Sequence, residues 1–248
     1  MRRFRVLSWS LLIMTLRDRS TLFWGIAFPV GLTVLYGTIS GHEQDGGAAA
    51  ISWLATGVVA LTIMASGLVG EAGHFTEMRE RGTLQRVHAT PLPPLHLVSA
   101  AMLVRLLITL LQVALVMAVA VAGFGAQTTV GGFALGCALA LTGAAVFFTI
   151  GQALGSLAST PRAAAAIGQA LYFPLMFVSN LFMPLELLPR WLSNISIWTP
   201  ATMLVDLIRP RMLPIPAAQA PLVDLLGLLC YGAVALVLAG RLFRWEQR

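Results

Sequence analysis

The sequence contains no lysine, so all of its 16 basic residues are arginine. A standard P-loop needs a lysine that contacts the nucleotide phosphates, and Schiff-base catalysis needs a lysine amine. Both are therefore excluded from this chain. We expect the chain to have no catalytic site and no cofactor site of its own, and we predict that it is not an enzyme.

Charged residues are scarce as well. They make up 10% of the 248 residues, whereas ordinary soluble domains have roughly 25%. Hydrophobic residues make up 58%, and the mean hydropathy is +0.83. A soluble fold of this size could not bury so much apolar surface, because a small domain leaves much of its surface in water. The composition predicts an integral membrane protein.

Cysteine and metal-ligand patterns are also sparse. Cys137 and Cys230 lie inside apolar runs, which favours buried thiols over a disulfide framework. The histidines near Glu71 and Glu77 show no His-Glu-x-x-His or paired-cysteine spacing, so no metal site is expected. The net charge of +6 comes from arginines that flank apolar segments. Their expected partner is the lipid bilayer with its anionic headgroups, not a nucleic acid.

Long apolar segments are abundant. A helix that crosses a bilayer needs roughly 20 apolar residues, and six segments qualify: residues 21–40, 48–70, 97–124, 130–158, 163–183 and 222–242. The predicted fold is an all-α integral membrane protein with six transmembrane helices in a domain over residues 20–248. Residues 1–19 have apolar side chains at helical spacing and predict an amphipathic helix at the membrane interface. A simple extension of the first span is the alternative.

Arginine is concentrated on one side of the predicted membrane. It is frequent in the N-terminal stretch, after the second span and at the C-terminus, and it is absent from residues 41–47. Cytoplasmic loops show this excess. We therefore expect a multi-pass protein of a bacterial plasma membrane with both termini in the cytoplasm. The outer segment 184–221 contains Trp191, Trp198 and several prolines, which predicts short interfacial or re-entrant helices.

The connection after the second span, residues 71–96, has an ordered pattern. Glu77 and Arg81 are four apart, which favours a helical extension of the span. Gly82 interrupts this helix, Thr83 can cap a new short one, and Thr90 before a proline ends it. The pattern predicts a rigid knob just outside the bilayer. A solvated loop with a few charges is the alternative.

This connection resembles the corresponding loop of the ABC-2 family of ABC-transporter permeases, which includes daunorubicin-type drug exporters. That family has a Glu-x-x-x-Glu-x-Gly-Thr-Leu pattern followed by Thr-Pro-Leu. The matching residues here are Glu77, Arg79, Glu80, Arg81, Gly82, Thr83, Leu84, Thr90, Pro91 and Leu92. The end of the fifth span and the outer helices match as well, at Pro174, Asn180, Leu181, Pro184, Leu185, Glu186, Leu188, Pro189, Trp191, Leu192, Pro200 and Arg209.

The resemblance implies a membrane-spanning permease subunit of an ATP-driven exporter. Two copies of a separate ATP-binding subunit would bind ATP and Mg, and the permease would pair with a second copy or a homologous permease. The coupling helix that docks on the ATP-binding subunit would comprise Glu77, Arg79, Glu80, Arg81, Gly82, Thr83, Leu84, Arg86 and Val87. The expected cargo is a lipid or a lipophilic small molecule, either drug-like or a natural product. Multidrug efflux is one of the activities expected with such cargo.

The fifth span contains candidates for the substrate path, since aromatic and methionine side chains adapt to varied apolar ligands. They are Tyr172, Phe173, Met176 and Phe177. Lipid-facing or core packing of these side chains is the alternative.

Two other classes of function compete with this one. A secondary transporter or channel would work without an ATPase and would show inverted repeats or intramembrane ionisable groups. A membrane-embedded enzyme would need a nucleophile with its base, or metal ligands, at membrane depth. The sequence shows neither pattern clearly. Arg105 and Asp224, charges within or at the edge of spans, are interpreted as structural.

Overall fold

The computed structural model describes residues 2–40, 47–80, 94–126, 128–181, 185–212 and 218–242. All regular structure within these ranges is helical, which confirms the all-α prediction. The helices are α1 (Arg2–Arg17), α2 (Arg19–Leu22), α3 (Phe28–Ser40), α4 (Gly47–Ala65), α5 (Ala72–Glu80), α6 (Pro94–Phe124), α7 (Val130–Leu157), α8 (Pro161–Val178), α9 (Arg190–Ser196), α10 (Pro200–Met212) and α11 (Pro221–Leu242). Single π-helical turns join α2 to α3 (Phe23–Ala27) and α4 to α5 (Ser66–Glu71), and Leu185–Leu187 form a 3-10 turn.

Four helices in the described part of the chain are long and apolar enough to cross a membrane: Ala50–Glu80, Ser99–Phe124, Val130–Leu157 and Pro221–Arg241. The first predicted span corresponds to a shorter apolar helix, Phe23–Ile39. The fifth corresponds to α8, which has 18 residues. The structure therefore supports a multi-pass membrane protein, and the count of six spans stays a prediction.

The continuous helix from α4 to α5 lies at the centre of the bundle. It packs against α3, α6, α7, α8 and α10. In the most apolar stretch of this helix, 67% is buried inside the protein, whereas only 17% of the most apolar stretch of α11 is buried. α11 packs mainly on α7 and α10 and leaves most of its leucine and valine side chains exposed. In a bilayer, lipid would cover these side chains.

Close helix contacts at the centre depend on glycine. A Cβ atom at Gly151 of α7 would overlap the carbonyl oxygen of Gly67, and one at Gly168 of α8 would overlap that of Leu68. Small residues permit this approach, which is typical of helix packing in lipid. The π turn that contains Gly67 and Leu68 is therefore held between α7 and α8.

The fold has two ends that differ in their polar contacts. At one end, which we name the Arg79 end, α5 packs against the end of α7 and the beginning of α8. At the opposite end, the Arg209 end, α10 packs against α4, α7 and α11. α8 runs between the two ends and stops at Val178, five residues before the predicted end of its span, because Ser179 is extended and buried.

The predicted outer helices are present but unequal in burial. On α9, Trp191 and Ile195 are largely exposed, as expected of an interfacial helix. α10 is buried over almost its whole length, from Pro200 to Met212. It therefore enters the bundle, which fits the predicted re-entrant class.

Candidate functional site

The predicted coupling residues begin on α5, which continues the central helix beyond its apolar part. Glu77 and Arg79 are half-buried, and Glu80 is exposed. The remaining predicted coupling residues lie outside the described residues, and their role stays a prediction: Arg81, Gly82, Thr83, Leu84, Arg86 and Val87. The structure therefore describes the stem of the predicted coupling segment but not its tip.

Two polar side chains bond this stem to the end of α7. Arg79 donates from Nη1 to the carbonyl oxygen of Ser156 at 3.4 Å, and from Nη2 to that of Ala158. One turn earlier, the Thr76 hydroxyl donates to the carbonyl oxygen of Gly155 at 2.9 Å. The last carbonyls of a helix have no partner within the helix, so these donors satisfy groups that would otherwise need water or a cap.

Small side chains let α5 approach α7 and α8 closely. Ala72, Ala158 and Ala164 form a compact buried cluster. A Cβ atom at Gly155 would lie 2.7 Å from the carbonyl oxygen of Ala72. α5 is therefore packed tightly on both helices that meet at the α7–α8 turn.

A buried ionic cluster lies two turns above Arg79, and we name it the Glu71 cluster: Glu71, Arg105 and Gln152. Glu71 is 3% exposed, and its Oε2 lies 2.7 Å from Nε of Arg105. Its Oε1 accepts a hydrogen bond from Nε2 of Gln152 at 3.2 Å. A buried carboxylate is costly unless it is paired and hydrogen-bonded, and here α6 and α7 supply both partners.

Sequence reasoning did not predict this cluster. It assigned Glu71 to the cytoplasmic connection, because apolar residues stop at Gly70, and it interpreted Arg105 as a structural charge. The structure buries Glu71 at the end of the π turn, between helices that approach through glycine. Arg105, a lone charge within an apolar segment, was the only hint in the sequence, because residues so far apart give no local pattern.

A second buried cluster lies at the Arg209 end, and we name it the Arg209 cluster: Trp53, Thr56, Asn180, Asp206 and Arg209. Arg209 is 1% exposed and stacks with its Cζ 3.4 Å from the ring centroid of Trp53. Its Nε donates to the Thr56 hydroxyl at 3.2 Å, and its Nη2 donates to the carbonyl oxygen of Asn180 at 3.0 Å. The Asn180 side-chain amide donates to Asp206 at 3.2 Å. A stacked, hydrogen-bonded guanidinium suits this buried position better than a lysine would.

A run of hydroxyl groups continues this cluster towards the outer helices. The hydroxyls of Ser179 and Thr199 lie 2.9 Å apart, and the Thr202 hydroxyl accepts from the backbone N–H of Asn180 at 3.1 Å. These bonds satisfy the backbone where α8 ends inside the protein. The Arg209 cluster therefore anchors α10 to the end of α8 and to the central helix. In the sequence, Asn180 and Arg209 were identified only as matches to the family pattern, and no structural role was predicted for them.

Asp224, in the first turn of α11, is fully buried. Among the described residues, neither of its carboxylate oxygens has a hydrogen-bond partner. The sequence interpretation placed this residue at the outer beginning of the sixth span, where a carboxylate favours the positive end of the helix dipole. The position in the first turn agrees with that interpretation.

The predicted substrate-path residues divide between two faces of α8. Tyr172 and Met176 are partly buried and pack against the hydrophobic core. Phe173 and Phe177 are 52% and 73% exposed and lie one turn apart on the outer face. The structure does not bring the four together. Two contribute to the core of this chain, and two are available to a neighbour, to lipid or to cargo.

No group of three metal-ligating side chains occurs among the residues that the structure describes. Of the histidines in the predicted cytoplasmic connection, His74 lies on α5 and His88 lies outside the described ranges.

The fold and its two buried clusters define a multi-pass helical membrane protein whose central helix ends in a charged stem. The sequence profile of the ABC-2 type transporter family matches residues 2–213, well over half of the chain. The chain therefore belongs to the ABC-2 type transporter family and is a permease subunit of an ABC transporter. Permeases of this family normally work with an ATP-binding subunit. A search of curated proteins finds no match.

Proposed function

We propose that this permease exports a lipophilic small molecule or a lipid, driven by ATP that a separate subunit hydrolyses. The observation that carries the proposal is the family match over residues 2–213. The sequence contains no lysine, and hence no standard P-loop, which fits a nucleotide site supplied by a separate subunit. Export and the daunorubicin-type class of cargo are inferred from the resemblance.

We propose that the ATP-binding subunit docks on residues 71–96, with α5 as the stem of the docking element. α5 supports this role because it is a direct continuation of the most buried of the four helices long enough to cross a membrane. A ligand can shift a conformational equilibrium only through contacts that differ between the states. A stem bonded to two helices would carry such a difference further than a free loop would.

The working unit in this proposal contains two permeases and two ATP-binding subunits. The outer face of α8 supports the pairing of permeases, since Ile167, Leu171, Phe173 and Phe177 are all exposed on it. Large exposed apolar side chains along the outer half of a helix suit a second copy, or cargo that passes between the copies. We place both termini in the cytoplasm of a bacterial cell, as the arginine distribution predicts.

Transport in reconstituted liposomes tests the energy source. The chain should be co-purified with a candidate P-loop ATPase from the same organism and assayed with a lipophilic dye and with a fluorescent phospholipid. We expect ATP-dependent transport of one class, which should be lost when the catalytic glutamate of the ATPase is replaced by glutamine. Full transport by the chain without the ATPase would overturn the proposal.

Chemical cross-linking tests the docking site. Because the chain has no lysine, a carbodiimide can couple its carboxylates only to its own N-terminus or to amines of a partner. We expect a product between the exposed Glu80 and a lysine of the ATPase, and we expect Glu80→Gln to remove it. Gly82→Pro should lower substrate-stimulated ATP hydrolysis while membrane insertion persists. Unchanged coupling in Gly82→Pro would contradict the assignment of this segment.

A second candidate function is transport driven by an ion gradient. The buried Glu71 and Asp224 favour it, because intramembrane ionisable groups mark ion pathways. The same liposomes separate the two candidates when a proton gradient is applied without ATP. Gradient-driven uptake that Glu71→Gln removes would support the second candidate.

A further inference from the structure

Arg79 directs its donors into the permease. The resemblance assigns it to the docking surface for the ATP-binding subunit, but its Nη1 and Nη2 point at the carbonyl oxygens of Ser156 and Ala158. Arg79 is half-buried, whereas its neighbour Glu80 is exposed. Its contacts within the chain therefore set its position before any partner binds.

The end of α7 needs such a donor. α7 ends at Leu157, and Ala158 is already extended, so the last carbonyl groups have no donor from a continuing helix. A cation beside these carbonyls is also favoured by the negative end of the helix dipole. Arg79 supplies from another helix what a C-terminal cap normally supplies from the same chain segment.

Thr76 adds a second bond between α5 and the end of α7, one turn before Arg79. Its hydroxyl bonds the carbonyl oxygen of Gly155, and Gly155 itself contacts Ala72. Only three residues separate α7 from α8, so the ends of these two helices must move together. A displacement of α5 is therefore delivered to both helices at their shared turn.

From this geometry we infer that Arg79 is a positioning residue, which joins the coupling segment to the α7–α8 turn so that a movement of α5 reaches α7 and α8. The inference rests on the proposed function, since it concerns how the partner's movement is transmitted. It assigns Arg79 a role inside the permease and leaves the docking surface to exposed residues such as Glu80.

The far end of α8 reports whether the movement arrives. Phe177 lies there on the face that we propose to meet a second copy or cargo. After Cys137 and Cys230 are replaced by alanine, labelling of Phe177→Cys with a membrane-impermeant maleimide reports how far that face is covered in the complex. The complex with its ATPase is labelled with and without ATP plus vanadate. Arg79→Met removes the guanidinium group, and Arg79→Lys keeps the positive charge with fewer hydrogen-bond donors. Arg162→Met is the matched control, because it removes an exposed arginine from the beginning of α8.

We expect the labelling rate to depend on nucleotide in the parent complex and in Arg162→Met. Arg79→Met should lose most of this dependence while the complex still assembles and hydrolyses ATP, and Arg79→Lys should restore part of it. Intact dependence in Arg79→Met would overturn the inference alone. An equal loss of nucleotide dependence in Arg162→Met would overturn the inference in favour of a surface-charge effect. Failure of Arg79→Met to assemble with the ATPase would overturn it in favour of a docking role. A parent complex without any nucleotide dependence would overturn the proposed function as well.

Discussion

The Glu71 cluster and the Arg209 cluster bury charge in different ways. In the Glu71 cluster, side chains from three long helices pair with one another, and Arg105 remains 24% exposed. In the Arg209 cluster, a guanidinium that is 1% exposed is fixed to backbone carbonyls, a hydroxyl and an aromatic ring. Side-chain pairs between helices can exchange when the helices shift, whereas bonds to backbone fix a segment in one place.

The difference teaches that the two ends of the bundle are suited to different tasks. The Arg209 end is anchored, because α10 and the end of α8 share a hydrogen-bonded network with the central helix. The Arg79 end also has bonds to backbone, from Arg79 and Thr76, but its buried charge is held by the side-chain pairs of the Glu71 cluster, which can exchange. We expect mutations at the Arg209 end to change stability most, and mutations at the Arg79 end to change coupling.

Arg209→Met should give the largest loss of stability. It leaves the hydroxyl and the backbone carbonyls that Arg209 contacts without their charged donor. It also leaves the buried Asp206 carboxylate in an apolar interior without this arginine. Removing one partner of a buried ionic group costs about 3–5 kcal/mol. Equilibrium unfolding in mixed detergent–SDS micelles measures the change. Arg190→Met, on an exposed position of α9, is the control and should change stability by less than about 0.5 kcal/mol. Equal losses of stability in Arg209→Met and Arg190→Met would contradict the inference that the Arg209 end is the anchored one.

Glycine substitutions compare the packing beside the Arg209 cluster with the packing beside the Glu71 cluster. A Cβ atom at Gly57 would overlap the backbone of Leu181, and one at Gly151 would overlap that of Gly67. Overpacking costs about 1–3 kcal/mol. Gly57→Val should cost more than Gly151→Val, because Arg209 also holds the Leu181 carbonyl, at 3.4 Å. The same unfolding assay measures both.

Gly123→Ala is the control for these substitutions, because no atom lies within 4 Å of its added Cβ. Alanine is favoured over glycine in a helix by up to about 1 kcal/mol, so this variant should be neutral or stabilising. A larger loss at Gly151 than at Gly57 would reverse the order of rigidity that we infer.

Glu71→Gln tests the ionic part of the Glu71 cluster. The amide can still bond Gln152 but no longer balances Arg105. A buried unpaired charge can cost about 3–5 kcal/mol. We expect about 1–2 kcal/mol, because the partly exposed Arg105 can turn towards the interface. The double variant Glu71→Gln with Arg105→Gln should recover part of the loss, and a double-mutant cycle measures the coupling. Purely additive losses would show that the pair is not a functional unit.

Thr160→Ala should have the smallest effect. The Thr160 side chain accepts from the backbone N–H of Ala163 at 3.2 Å at the beginning of α8. Loss of such a cap costs about 1 kcal/mol. Thr129→Ala removes the equivalent cap of α7 at the opposite end, where Thr129 accepts from Gly132 at 3.1 Å. Thermal denaturation should show similar losses, with Thr160→Ser close to the parent. A loss well above that of Thr129→Ala would mark the α7–α8 turn as more than a simple cap.

Sequence reasoning predicted the membrane class, the all-α fold and the family because each depends on local or compositional features. Apolar length predicts a buried helix, since every backbone group must be satisfied within lipid. The caps at Thr129 and Thr160 are local as well, because the side chain reaches a backbone N–H three residues ahead. Such features need no knowledge of distant residues.

The polar contacts between helices could not be predicted in this way. Glu71 and Gln152 are 81 residues apart, and Thr56 and Arg209 are 153 residues apart. Arg79 has the same appearance in the sequence whether it faces a partner or the end of α7. The sequence by itself determined that this chain lies in a membrane and that its long apolar segments are helices. Only the tertiary structure decided which charges are buried and paired, because glycine contacts set how closely the helices approach and which side chains meet between them.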